Sequence, residues 1–77
     1  MSSKLIAYHG GSGMWQVRSA DGSRAYVVTT GRDGNVASIQ TRTRGMLRRD
    51  GATGKEIARA IKAARAKERA ASEALKR

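Results

Sequence analysis

Arg42, Arg44, Arg48 and Arg49 fall within eight residues around Gly45. A guanidinium is a planar fork that can make two parallel hydrogen bonds to one phosphate, so arginines at this density point to a polyanion. Strand alternation puts Arg42 and Arg44 on the same outer face. Downstream come Lys55, Arg59, Lys62, Arg65 and Arg69. Steps of four, three and seven carry Lys55, Arg59, Lys62 and Arg69 along one helical stripe, with Arg65 at its edge. Carboxylates at helical spacing could neutralise part of it: Glu73 beside Arg69 or Arg77, Glu56 beside Arg59, and Glu68 beside Arg65. Those pairs leave Lys55 and Lys62 uncompensated. The competing reading is a solvated basic face that only keeps the protein soluble.

The charge is unevenly spread. Residues 42–77 hold twelve Lys or Arg against four Asp or Glu, whereas residues 1–41 hold four against two, within a chain of net charge +10. Such an excess favours DNA or RNA backbone as partner and gives no sequence specificity.

Other chemistry is poorly represented. There is no cysteine and a single histidine, His9, so neither a disulfide nor a zinc-ligand set is available, and no metal or other cofactor is expected. Gly10, Gly11, Ser12 and Gly13 lack the lysine and the strand-to-helix setting of a phosphate-binding loop. Asp21, Asp33 and Asp50 each precede glycine, which is turn chemistry. No nucleophile–base pair emerges, so the chain is not expected to be an enzyme. Trp15 and Tyr26 read as core, and Tyr8 and His9 as a strand end. Any of them left exposed would offer a stacking surface to unpaired bases.

The elements that must position the cations divide near residue 50. Leu5 to His9 is a candidate strand. Met14 to Ser19 alternates, Trp15 and Val17 facing one way and Gln16 and Arg18 the other. Asp21-Gly22 predicts a tight hairpin turn to Ala25–Thr30, which is apolar on both faces and so central. Arg32-Asp33-Gly34 turns the chain into Val36–Thr43, with Ala37, Ile39 and Thr41 inward. Thr53 and Glu56 form a capping-box pattern at the head of a helix that contains no proline and, after Gly54, no glycine. Ile57, Ala60, Ile61 and Ala64 form its apolar stripe. Beyond Ala64 that stripe holds only alanines until Leu75, so residues 65–77 are expected to project past the sheet or to be helical only part of the time. The expected architecture is α+β: one domain over residues 1–77, with a small antiparallel meander of three to four strands followed by one long C-terminal helix.

The stretch from Trp15 to Ile61 resembles a SWIM-type zinc finger without its metal ligands. Trp15 to Ser19 with Ser23 to Val28 resembles that family's opening strand pair, Gly34 to Gln40 sits where the first two cysteines would fall, and Gly54-Lys55-Glu56-Ile57 is similar to its closing run. Ser38, Gln40, Gly54 and Glu56 stand in the ligand places, so the resemblance implies a ββ-to-helix order and DNA or protein binding, but no zinc.

The sequence therefore predicts a small basic nucleic-acid-binding protein, with DNA ahead of RNA, of the kind viruses and mobile elements carry. The cations named above would make the contacts, and the N–H groups of Gly54 and Lys55 would take one further phosphate. Two alternatives stay open: a regulator docking on an acidic protein surface, and an RNA- or ribosome-associated protein. The large apolar side chains are few, which leaves room for a homodimer. No stretch reads as a signal peptide or membrane span, and a cytoplasmic protein is expected.

Overall fold

The computed structural model describes residues 4–43 and 45–75. Five strands form one antiparallel meander in chain order: β1 (Leu5–Gly11), β2 (Met14–Ser19), β3 (Ala25–Thr30), β4 (Val36–Thr41) and β5 (Met46–Leu47). A single helix follows, α1 (Ala52–Leu75). The chain is α+β as expected, and β3 is the central strand. The strand count exceeds the expectation because β5 has only two residues, too few to register as a period.

Pairing fixes which side chains share a face. His9, Trp15, Val28, Ile39 and Leu47 form one row across all five strands, and Tyr8, Gln16, Val27, Gln40 and Met46 form the adjacent row on the opposite face. The first face carries the core: Leu5, Trp15, Val17, Val28 and Ile39 are buried against Ile57 and Ile61 of the helix. The second face is open, and Ile6, Tyr8, Met14, Val27 and Met46 are exposed on it. Trp15 and Tyr26 belong to the core face, Trp15 being only 3 % exposed. They are not directly opposite: Trp15 pairs with Val28, and Tyr26 with Val17.

Several local expectations need correction. A register shift between β3 and β4 pairs Thr30 with Val36 and skips Ala37. Val36 consequently packs on the core, and Ala37 is exposed rather than inward. The β2–β3 connection is wider than a two-residue turn, closing where the Ser19 N–H donates to the Arg24 carbonyl at 2.9 Å. Asp21 organises it: its carboxylate accepts from the Ser19 hydroxyl (2.6 Å), the Ser23 N–H (3.1 Å) and the Ser23 hydroxyl (2.8 Å). Hydroxyls on both sides of one carboxylate favour this longer loop. At Gly34 the backbone has φ 82°, the left-handed turn conformation that glycine tolerates best.

The helix starts earlier than the capping box predicts. Gly51 offers the first carbonyl, which accepts the Lys55 N–H at 3.0 Å, and Thr53 lies inside the first turn. Glu56 does not reach back to Thr53, because it is held by Arg24. Gly54 is buried, and a Cβ placed on it would lie 2.6 Å from the Arg48 carbonyl oxygen, so only glycine lets the helix start so close to the preceding loop. The helix is about 36 Å long, and its buried part packs chiefly on β1 and β2. Residues 66–75 are all exposed, so the helix end runs past the sheet.

Candidate nucleic-acid interface

Ile57 and Ile61 are the helix's buried anchors, and with Ala60 and Ala64 they fix which side meets the sheet. A rotation of about 100° per residue then carries Lys55, Arg59, Lys62 and Arg69 to the opposite side. All four are exposed, and no hydrogen bond or ion pair joins their side chains to another described residue. Lys55 to Arg69 spans roughly 21 Å along the axis. Lys67 is exposed apart from this stripe, on the side of the helix nearer β1.

The helix carboxylates are spent elsewhere. Glu56 accepts two bonds from the Arg24 guanidinium, at 2.7 and 3.1 Å. This fork-to-carboxylate pair raises the Arg24 pKa and holds Glu56 below the ordinary glutamate range, with the field of Arg59 a smaller contribution. Glu68 lies 3.4 Å from Nδ1 of His9 rather than beside Arg65. His9 stacks flat on Trp15, with ring centroids 4.4 Å apart and planes 5° from parallel. Among the helix carboxylates only Glu73 remains near the stripe, and no ion pair joins it to a described residue.

The remaining expected site residues are dispersed. Arg65 is turned toward the sheet: its Nη1 donates to the Gly34 carbonyl at 2.6 Å, and its guanidinium lies 5.5 Å from the Trp15 ring centroid. Arg48 is paired with Asp50 at 3.1 Å. Arg42 donates to the Gly22 carbonyl at 3.4 Å. Arg49 is exposed, and its field helps the Asn35 amide bonds hold Asp33 below its ordinary range. Arg44 lies outside the described residues, as do Lys76 and Arg77. The helix start is not free for an anion, since the Lys55 N–H is already bonded and Gly54 is buried against backbone carbonyls.

Sequence reasoning did not count Arg18 among the contact residues. On the open sheet face its guanidinium lies 4.7 Å from the centroid of the exposed Tyr8 ring. The alternation of β2 already turned Arg18 outward, and only the pairing of β1 with β2 brings it beside Tyr8. Ser38 and Gln40 point away from the helix, whereas Glu56 is drawn to the sheet by Arg24. Among the described residues no group of three or more His, Cys, Asp or Glu could hold a metal ion, and no helix is long and apolar enough to cross a membrane. No protein-family model, curated protein or solved structure matches this chain.

Proposed function

We propose that this protein binds the sugar–phosphate backbone of nucleic acid, duplex DNA before RNA, through the solvent face of α1. The observation that carries the reading is the sorting of charge on the helix. Lys55, Arg59, Lys62 and Arg69 stay unpaired on the outer side, while Glu56 and Glu68 are turned toward the sheet and held there. A cationic edge about 21 Å long matches roughly six phosphates of one strand at their 3.4 Å axial spacing. Backbone contact of this kind positions a protein without choosing a sequence.

The test is a fluorescence-anisotropy titration of duplex DNA, single-stranded DNA and structured RNA at three salt concentrations. Four phosphate contacts on duplex DNA give a slope of log affinity against log salt of about −3.6. Affinity that does not change with salt, or no binding at low salt, refutes the reading.

A second reading rests on Tyr8. It is 45 % exposed with the Arg18 guanidinium beside it, a pairing suited to stacking on an unpaired base. Tighter binding to single strands than to duplex, abolished by Tyr8→Ala, would favour it over the helix.

A further inference from the structure

β1 is an edge strand: it is the first in the sheet order and, among the described residues, pairs only with β2. Its seven residues extend about 23 Å, and alternate backbone N–H and C=O groups along it have no strand to pair with. Proteins commonly guard such an edge with proline, a charge, a short strand or a bulge, and β1 carries only the last, beyond His9, which leaves Leu5 to His9 regular. Here the chain has no proline, and Leu5 to Gly11 contains no Lys, Arg, Asp or Glu. The opposite edge, β5, is guarded by its length of two residues.

Beside this open edge lies a groove of about 490 Å³, formed by Leu5, Ile6 and Ala7 on the strand and Ala60, Ala63 and Ala64 on the helix. The three alanines leave the space. The side of the helix next to the strand carries methyl groups where larger side chains would close it. Lys4, Arg59 and Lys67 rim the groove, and its one carboxylate, Glu56, is committed to Arg24. The site therefore combines unsatisfied backbone groups, an apolar floor and a cationic rim.

We propose that this edge and groove bind an extended acidic peptide, which adds a sixth strand to the sheet beside β1. Its backbone pairs with β1. Only every second side chain faces the helix: a small apolar one enters the groove under Ala60, Ala63 and Ala64, and acidic ones two residues before and after it meet Arg59 and Lys67. A second copy of the chain fits less well. Pairing β1 with β1 would bring two cationic rims together on chains that each carry +10. The site is separate from the helix stripe except at Arg59, which borders both.

The probe is a capped seven-residue peptide, Thr-Glu-Thr-Val-Thr-Glu-Thr, whose central valine and two glutamates share one face, titrated into the ¹⁵N-labelled full chain. Expected are shifts and slowed hydrogen exchange of the β1 amides. Replacing the peptide's central valine with proline, which cannot donate, should weaken binding at least about tenfold. Ala63→Leu, an exposed position where added volume fills the groove, should do the same while leaving the salt slope on duplex DNA unchanged. Lys67→Glu should weaken the peptide several-fold, which guards against a misfolded Ala63 variant. The proposal is overturned if the peptide does not bind, or if a scrambled peptide binds equally well with shifts spread over the helix cations. It is also overturned if the free chain sediments as a dimer with its β1 amides already protected. Because the peptide titration contains no nucleic acid, its failure is distinguishable from failure of the helix reading.

Discussion

If the outer face of α1 holds phosphates, removing two of its central cations should change the salt dependence of binding by a calculable amount. Arg59→Gln with Lys62→Gln is the informative double variant. Both side chains are exposed and unpaired, and glutamine is nearly as good a helix former as arginine or lysine, so the fold should be retained. With Lys55, Arg59, Lys62 and Arg69 each neutralising one phosphate, log affinity should fall with log salt at a slope of about −3.6. Between about 50 and 200 mM salt that is a loss of roughly 150-fold. The double variant should show a slope of about −1.8 and a loss of only roughly 12-fold over the same range. Anisotropy with a labelled duplex reads both slopes, and circular dichroism confirms that the helix is intact. Arg65→Lys is the contrasting control. Its charge is retained and its guanidinium is already engaged by the Gly34 carbonyl, so its slope should match the parent. The reasoning fails if the double variant keeps the parent slope. It fails equally if Arg42→Gln with Arg49→Gln halves the slope instead, since the loops rather than the helix would then hold the phosphates.

Gly54→Ala should lower stability by about 1–3 kcal/mol in a thermal or urea melt, although alanine is intrinsically the better helix former, because the new methyl meets the Arg48 carbonyl. Glu56→Gln should cost about 1 kcal/mol, since it leaves a part-buried guanidinium with a weaker partner. The folded state lowers the Glu56 pKa, so its contribution is present above the ordinary glutamate range and disappears as pH falls through the lowered value; urea melts between about pH 6 and 3 should show a smaller acid loss in Glu56→Gln than in the parent. Trp15→Ala should cost about 3–5 kcal/mol and abolish the cooperative melt, because it empties the row from His9 to Leu47 and removes the ring beneath Arg65.

What was legible in the sequence was periodic. Trp15 and Val17 against Gln16 and Arg18 identified the core face of β2, the double-faced apolarity of β3 placed it at the centre, and Ile57, Ala60, Ile61 and Ala64 defined the buried side of the helix. What stayed illegible was set by distant partners or by single contacts. Glu56 was assigned to Thr53 and Arg59 by local spacing, yet Arg24, 32 residues away, offers a two-bond fork that local pairs cannot match. Glu68 and Arg65 stand at helical-pair spacing, but the stacked His9 and the Gly34 carbonyl claim one each. The need for glycine at position 54 was not legible, because the loop carbonyls packed against it come from the tertiary path of the chain. Eight of the nine cations expected to act together are described, and among these the four on a strict helical repeat share one face, since that repeat is rigid, while Arg42 and Arg48 take acceptors near them in the loops.

The charge sorting bears on function because it costs the fold something. Lys55 and Arg59 stand four apart and Arg59 and Lys62 three apart, and like charges at these spacings destabilise a helix by roughly 0.2–0.5 kcal/mol per pair. The protein can ill sustain this, since among the described residues only seven hydrophobic side chains are buried in its core. Where a cation serves the fold, it is visibly engaged: Arg24 by Glu56, and Arg65 by Gly34 and Trp15. Apart from the small effect of Arg59 on Glu56, the stripe's side chains make no contact that serves the fold among the described residues. Glu56, three residues from Arg59, is held against the sheet instead, and Glu73, four from Arg69, forms no ion pair with a described residue. Solubility alone would be met by cations scattered over any exposed surface. Their alignment on one rigid edge, at a cost in helix stability, is accounted for when an external row of anions completes the pairing. A nucleic-acid backbone supplies such a row.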